Sequence, residues 1–211
     1  MTDPGKPAKD PKSHGFGRRE FLMAALPLAL AGTGLLAPSP GAAKTRSPGF
    51  RNNAHQFRWL RPQVVPRDTP FLTAGGGVRT LRHFRGKTVL VNFWATWCPP
   101  CLAEMPSLDR LQKALGGERF TVLAISIDGA GLDAVLPFYR RMGIKNLEIY
   151  LDPDQRTGYL DSARAGQGAF ALYALPISYL VDRQGRALGY FPGGAAWDSP
   201  QALDFLGHFI G

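Results

Sequence analysis

The chain carries two cysteines and no others, three residues apart in Trp97-Cys98-Pro99-Pro100-Cys101. What flanks the pair constrains the fold more than the pair itself. Thr88-Val89-Leu90-Val91-Asn92-Phe93-Trp94 is a continuous apolar, β-branched run of the kind that fills a strand buried on both faces. After the pair, Leu102, Met105, Leu108, Leu111 and Leu115 recur at helical spacing as far as Gly116-Gly117. The cysteines therefore fall where a buried strand hands over to a helix. Unpaired N–H groups and the helix dipole favour an anion at that point, so Cys98 is expected to act as the attacking thiolate. Cys101, one turn further on, can reach the sulfur of Cys98 and resolve a mixed disulfide. Pro99 and Pro100 lack N–H groups that a helix start does not need, and they stiffen the turn.

Other uses of two cysteines fit less well. A disulfide-stapled scaffold needs more cysteines, spread along the chain. Structural zinc needs four ligands, and His14, His55, His83 and His208 are scattered with no ligand spacing, so no metal site is expected. No cofactor is expected beyond a redox-active Cys98–Cys101 disulfide.

The rest of the chain supplies the frame. Phe71-Leu72-Thr73 and Val78-Arg79-Thr80-Leu81 flank Gly75-Gly76-Gly77 as a hairpin. Residues 120–127 read as a second buried strand, 132–142 as a helix despite Pro137 and stopped by Gly143, and 147–151 as a third strand. Residues 154–168 are polar and read as a short helix with a loop. Strands over 177–181 and 187–191 enclose Asp182-Arg183-Gln184-Gly185, which has hairpin-turn composition, and 199–210 forms a closing helix. The expected fold class is α/β, a central mixed β-sheet flanked by helices, with an N-terminal β-hairpin extension.

Charge separates the chain into three parts. Residues 44–87 hold ten basic residues and one acid, whereas 88–211 hold ten basic and twelve acidic residues. The basic excess thus precedes the domain, and no nucleic-acid partner is expected. It suits an arm beside an anionic membrane surface or an acidic client. Residues 1–43 contain Arg18-Arg19 ahead of a weakly apolar stretch and end in Pro40-Gly41-Ala42-Ala43. They resemble a twin-arginine export signal, which addresses a protein to the bacterial periplasm and is either cleaved or retained as an inner-membrane anchor. Residues 44–70 read as a basic Pro/Arg-rich arm or linker, and 71–211 as the folded domain.

Val91-Asn92-Phe93-Trp94-Ala95-Thr96-Trp97-Cys98-Pro99-Pro100-Cys101, followed by Glu104 and Pro106, resembles the TlpA branch of the thioredoxin superfamily. That branch includes the cytochrome c maturation reductases. Two further blocks carry the resemblance, 175–185 and Gly193-Gly194-Ala195-Ala196-Trp197-Asp198-Ser199-Pro200. It implies a thioredoxin-like fold and a cis-proline at Pro176, which brings the Leu175 backbone to a client chain; the alternative is a plain turn proline. Trp97, Pro99, Pro100, Leu175 and Pro176 are then the client-contacting residues.

Thioredoxins proper place a buried Asp where this chain has Asn92. Glu104, one turn past Cys101, is the alternative proton acceptor for that thiol, or else a solvated surface residue. The implied activity is protein-disulfide reduction in the periplasm, with electrons from a membrane thiol transporter. Implied clients are apocytochrome c or copper-delivery proteins of cytochrome oxidase assembly. A peroxiredoxin-like peroxidase and a copper-binding metallochaperone are the competing readings; the paired cysteines oppose the first, and the lack of arranged His or Met ligands opposes the second.

Overall fold

A computed structural model describes residues 48–211. The expected export signal lies outside the described residues, as does the start of the expected arm. Strand β1 spans Arg58–Val64, β2 Phe71–Thr73 and β3 Val78–Arg79, followed by a single 3-10 turn at Leu81–Phe84. Then come β4 (Thr88–Trp94), α1 (Pro99–Leu115), β5 (Phe120–Ser126), α2 (Leu132–Met142) and β6 (Tyr150–Leu151). A small pair, β7 (Gly158–Tyr159) and β8 (Phe170–Ala171), precedes β9 (Ile177–Val181), β10 (Ala187–Pro192) and α3 (Pro200–Ile210).

Eight strands form one mixed sheet in the order β1-β10-β9-β4-β5-β6-β2-β3. β4 lies near its middle, parallel to β5 along seven residue pairs and antiparallel to β9 along five. Every residue of β4 is buried, as its unbroken apolar run predicts. Because side chains alternate across a strand, Thr88, Asn92 and Trp94 share one face. They meet Phe209 of α3, Glu104 of α1, and Phe138 and Tyr139 of α2 respectively. Phe93, on the other face, meets Phe170.

The structure corrects the expected plan in two places. Residues 58–64, expected within a linker, form the edge strand β1, paired with β10. Phe50 and Phe57, ahead of that strand, are buried in the core. The folded unit therefore begins well before Phe71. Pro62 is tolerated because β1 is an edge strand, which spares its missing N–H. Residues 154–168 do not form an α-helix; they carry β7 and one 3-10 turn at Ser162–Arg164. Asp152 organises their start by accepting the backbone N–H groups of Arg156, Thr157 and Gly158. The hairpin at 71–79 is present as β2–β3, and β2 also pairs with β6.

Candidate functional site

β4 delivers the chain to the site. Beyond Trp94, the backbone N–H and hydroxyl of Thr96 both donate to the buried Asp128 carboxylate, at 2.9 and 2.6 Å. This ties the loop before the cysteines to the end of β5. Trp97 then projects outward, 61% exposed. Cys98 is the N-cap of α1, with Pro99 and Pro100 as its first two helical residues. Cys98 and Cys101 are joined in a disulfide, with Cα atoms 5.3 Å apart. Cys98 is 5% exposed and Cys101 0%, so attack from outside meets Cys98 first.

Glu104 lies one turn below, buried rather than solvated. Its Oε1 accepts from Asn92 Nδ2 at 2.6 Å, and its Oε2 accepts from Ala195 N at 3.0 Å and Trp197 Nε1 at 3.1 Å. Burial pushes its carboxyl up from 4.5 to about 7, and these three donors hold it from going higher. Asn92 also donates to Ser178 Oγ at 2.9 Å. Its Oδ1 has no hydrogen-bond partner among the described residues.

The Leu175–Pro176 peptide is cis, Pro176 is buried and Leu175 half-buried. Gly193 N donates to Pro176 O at 2.8 Å, which joins the proline loop to the segment leading to Trp197. Gly194 is where the parts converge. A Cβ placed there would lie 3.4 Å from Pro100 O, 3.8 Å from Glu104 Oε2 and 3.9 Å from Pro176 Cγ. The structure thus gathers Pro100, Glu104 and Pro176 around one point beside the helix that carries Cys98 and Cys101. Pro99 and Pro100 are exposed at its rim, and Trp97 stands out from it.

Sequence reasoning did not assign Trp197, Ala195, Gly194 or Asp128 to the site, and it treated Asn92 only as a missing acid. The block 193–200 carries part of the family resemblance, yet its contact with Glu104 spans 91 and 93 residues of chain. No local pattern reports such a contact. The signal that could have placed Glu104 inside is its register: Cys101, Glu104, Leu108 and Leu111 share the buried face of α1.

Residues 59–204 match the Redoxin family. The chain is 29% identical over 119 residues to the thioredoxin-like protein YneN of Bacillus subtilis (strain 168), covering 56% of this chain and 64% of that protein. It is 30% identical over 108 residues to the thiol-disulfide oxidoreductase ResA of Bacillus thuringiensis (strain Al Hakam), covering 51% and 56%. The chain therefore spans about three fifths of the length of these curated relatives. A secreted thiol-disulfide isomerase from Corynebacterium glutamicum shares the fold, with a TM-score of 0.57 at 22% identity over 76% of this chain and 96% of that one. With the Cys-Pro-Pro-Cys turn, the mixed sheet and these similarities in place, the chain belongs to the Redoxin family and is a TlpA-like member of the thioredoxin superfamily.

Proposed function

We propose that this protein is a thiol–disulfide oxidoreductase that reduces disulfides in client proteins. The observation that carries the reading is a cysteine pair at a helix start with a buried carboxyl, raised to about 7, one turn behind it. In the reduced protein the Cys98 thiolate attacks one sulfur of a client disulfide. The client's other sulfur leaves as a thiolate, and a mixed disulfide remains. Cys101 gives its proton to Glu104 and attacks Cys98, releasing the second client sulfur and closing the Cys98–Cys101 bond. Two electrons pass to the client. A carboxyl poised near 7 suits this task, because a large share of it is ionised at neutral pH and it is basic enough to take a thiol proton.

The reducing direction is supported by the first turn of α1. Cys98 is its N-cap, Pro99 and Pro100 have no N–H, and Leu102 N is already bonded to Cys98 O. Only the Cys101 N–H is left there to receive a Cys98 thiolate. A weakly stabilised thiolate makes the dithiol a better electron donor, the opposite of the strongly oxidising members of this chemistry. The redox group is the cysteine pair itself, with no added cofactor.

The compartment is the periplasm, reached through the export signal at 1–43, soluble or held at the inner membrane. A membrane thiol transporter returns the electrons, and clients belong to cytochrome c maturation or oxidase copper-site assembly. These assignments rest on the resemblance and on relatives such as ResA, named as a thiol-disulfide oxidoreductase.

Trapping tests the reading. In the compartment where the protein resides, Cys101→Ser accumulates mixed disulfides with clients through Cys98, and Cys98→Ser accumulates few. Equal trapping by both variants, or none by either, refutes it.

A further inference from the structure

Residues 50–57 fold into a small closed loop ahead of β1. Phe57 N donates to Phe50 O at 2.7 Å and Asn52 N to His55 O at 2.8 Å. The Asn52 side chain seals the turn, its Oδ1 accepting from Ala54 N at 2.9 Å and His55 N at 2.7 Å. The loop is pinned to the segment beside Glu104. The buried Phe50 ring packs 5.2 Å from Trp197 and 4.9 Å from Phe191. His55 lies where a Cβ on Gly193 would fall, 2.4 Å from its Nε2, and Gly193 has a φ of +82°, so that position is held for glycine twice over.

One contact reaches further. Asn52 Nδ2 donates to Gly194 O at 3.0 Å, and Ala195 N donates to Glu104 Oε2 at 3.0 Å. Gly194 O and Ala195 N belong to the same peptide unit. That unit is planar, so fixing its carbonyl on one side fixes the direction of its N–H on the other. Hydrogen bonds in series also polarise one another, so a donor on the carbonyl strengthens the N–H as a donor.

We propose that Asn52 is a positioning residue for Glu104, acting through the Gly194–Ala195 peptide it holds in place. It touches neither cysteine nor client. The inference rests on the reading of Glu104 as the proton acceptor for Cys101 only for its consequence in turnover; the positioning itself is a property of the folded protein. The groups facing Glu104 are Asn92 of β4 with Ser178 of β9 behind it, Ala195 and Trp197 of the loop, and Cys101 on its own helix. The charged or titratable side chains in the 50–57 loop are Arg51, which is exposed, and His55, packed on Gly193. Burial raises the Glu104 carboxyl, and the Ala195 N–H leads the groups that oppose it. Loosening that N–H while the Phe50–Trp197 packing still excludes water moves the titration upward.

The test follows the Glu104 carboxyl by carbon NMR in the oxidised, ¹³C-glutamate-labelled protein, with its resonance assigned by its loss in Glu104→Gln. Asn52→Ala and Asn52→Asp both raise the Glu104 midpoint, for Asn52→Ala by a measurable fraction of a pH unit, with about one unit, the loss of the whole Ala195 N–H donor, as the upper bound. Asn52→Ala removes the donor without adding charge, and Asn52→Asp removes the donor but keeps the acceptor that seals the turn. Asn53→Ala, next in the loop, leaves the midpoint in place. If both Asn52 variants lower the melting temperature and the Glu104 midpoint stays put, Asn52 is a structural residue only and the inference falls. Stopped-flow kinetics of the resolving step on the same variants separate the two claims. A moved midpoint with an unmoved rate profile removes Glu104 as the acceptor but keeps Asn52 as its positioner.

Discussion

Helix α1 carries two inward-facing carboxylates, Glu104 and Asp109, little more than a turn apart, and their surroundings drive them in opposite directions. Glu104 receives three donors. Asp109 receives four: Oδ1 accepts from Lys145 N, Asn146 N and Leu147 N, and Oδ2 from Asn146 Nδ2. Burial raises both. At Asp109 the ring of donors from the loop after α2 outweighs burial and holds the carboxyl below its usual value. At Glu104 burial wins, and the carboxyl rises to about 7. Charge on a buried helix face thus has two uses. Asp109 is an acceptor that pins a loop and stays ionised; Glu104 is kept near the point where a proton comes and goes.

The contrast is open to direct attack. The largest effect is expected from Glu104→Gln, which should slow resolution of the mixed disulfide by about 10²-fold while leaving the first attack by Cys98 nearly intact. Stopped-flow reduction of a model disulfide across pH resolves the two steps. Equal rates for wild type and variant would reduce Glu104 to a packing residue. Asp109→Ala should do the reverse. It strips the acceptor from three backbone N–H groups and one side-chain amide, at a cost of about 3 kcal/mol in denaturant titration. The resolving step should keep its rate and pH profile wherever the variant is folded; a shifted profile would merge the two roles.

The subtlest effect sharpens the comparison through pH. For Glu104 the folded value, about 7, lies above the unfolded 4.5, so the native state binds its proton more tightly. Stability from this group is complete below the unfolded value and is lost as pH rises through the folded one. Asp109 has the opposite sign, contributing above its unfolded value and losing that contribution as acid protonates it. Glu104→Gln should therefore gain on wild type by about 2 kcal/mol between pH 5 and pH 8. A constant difference between the two proteins over that interval would mean that Glu104 titrates normally.

How much of this could be seen in the sequence depends on the range of each contact. The strand–cysteine–helix junction was legible because its signals are local: an apolar run, a C-x-x-C and a helical period. The edge strand β1 was not, because Arg58, Arg61 and Pro62 give it the composition of a linker, and its identity comes from pairing with β10, more than a hundred residues away. The 154–168 segment misled for a related reason. Its shape is set by the Asp152 side chain seizing three backbone N–H groups, which leaves no periodicity to read. Glu104 was legible as a candidate but not as a buried one, since Asn92 reaches it from β4 and Ala195 and Trp197 from a segment some ninety residues further on.

The site hangs from β4, and β4 is laced to a neighbour on each side. A strand so placed can free its amides only when the sheet as a whole comes apart, so it sits at the slow-exchanging end of the molecule's internal motions. The anchor of the cysteine pair is therefore the part of the fold least able to breathe. The exposed side chains of the site are at its rim, Trp97 and the two prolines, so under the proposed function adjustment to a client would fall there, much as a tool with a stiff shank leaves compliance to its tip.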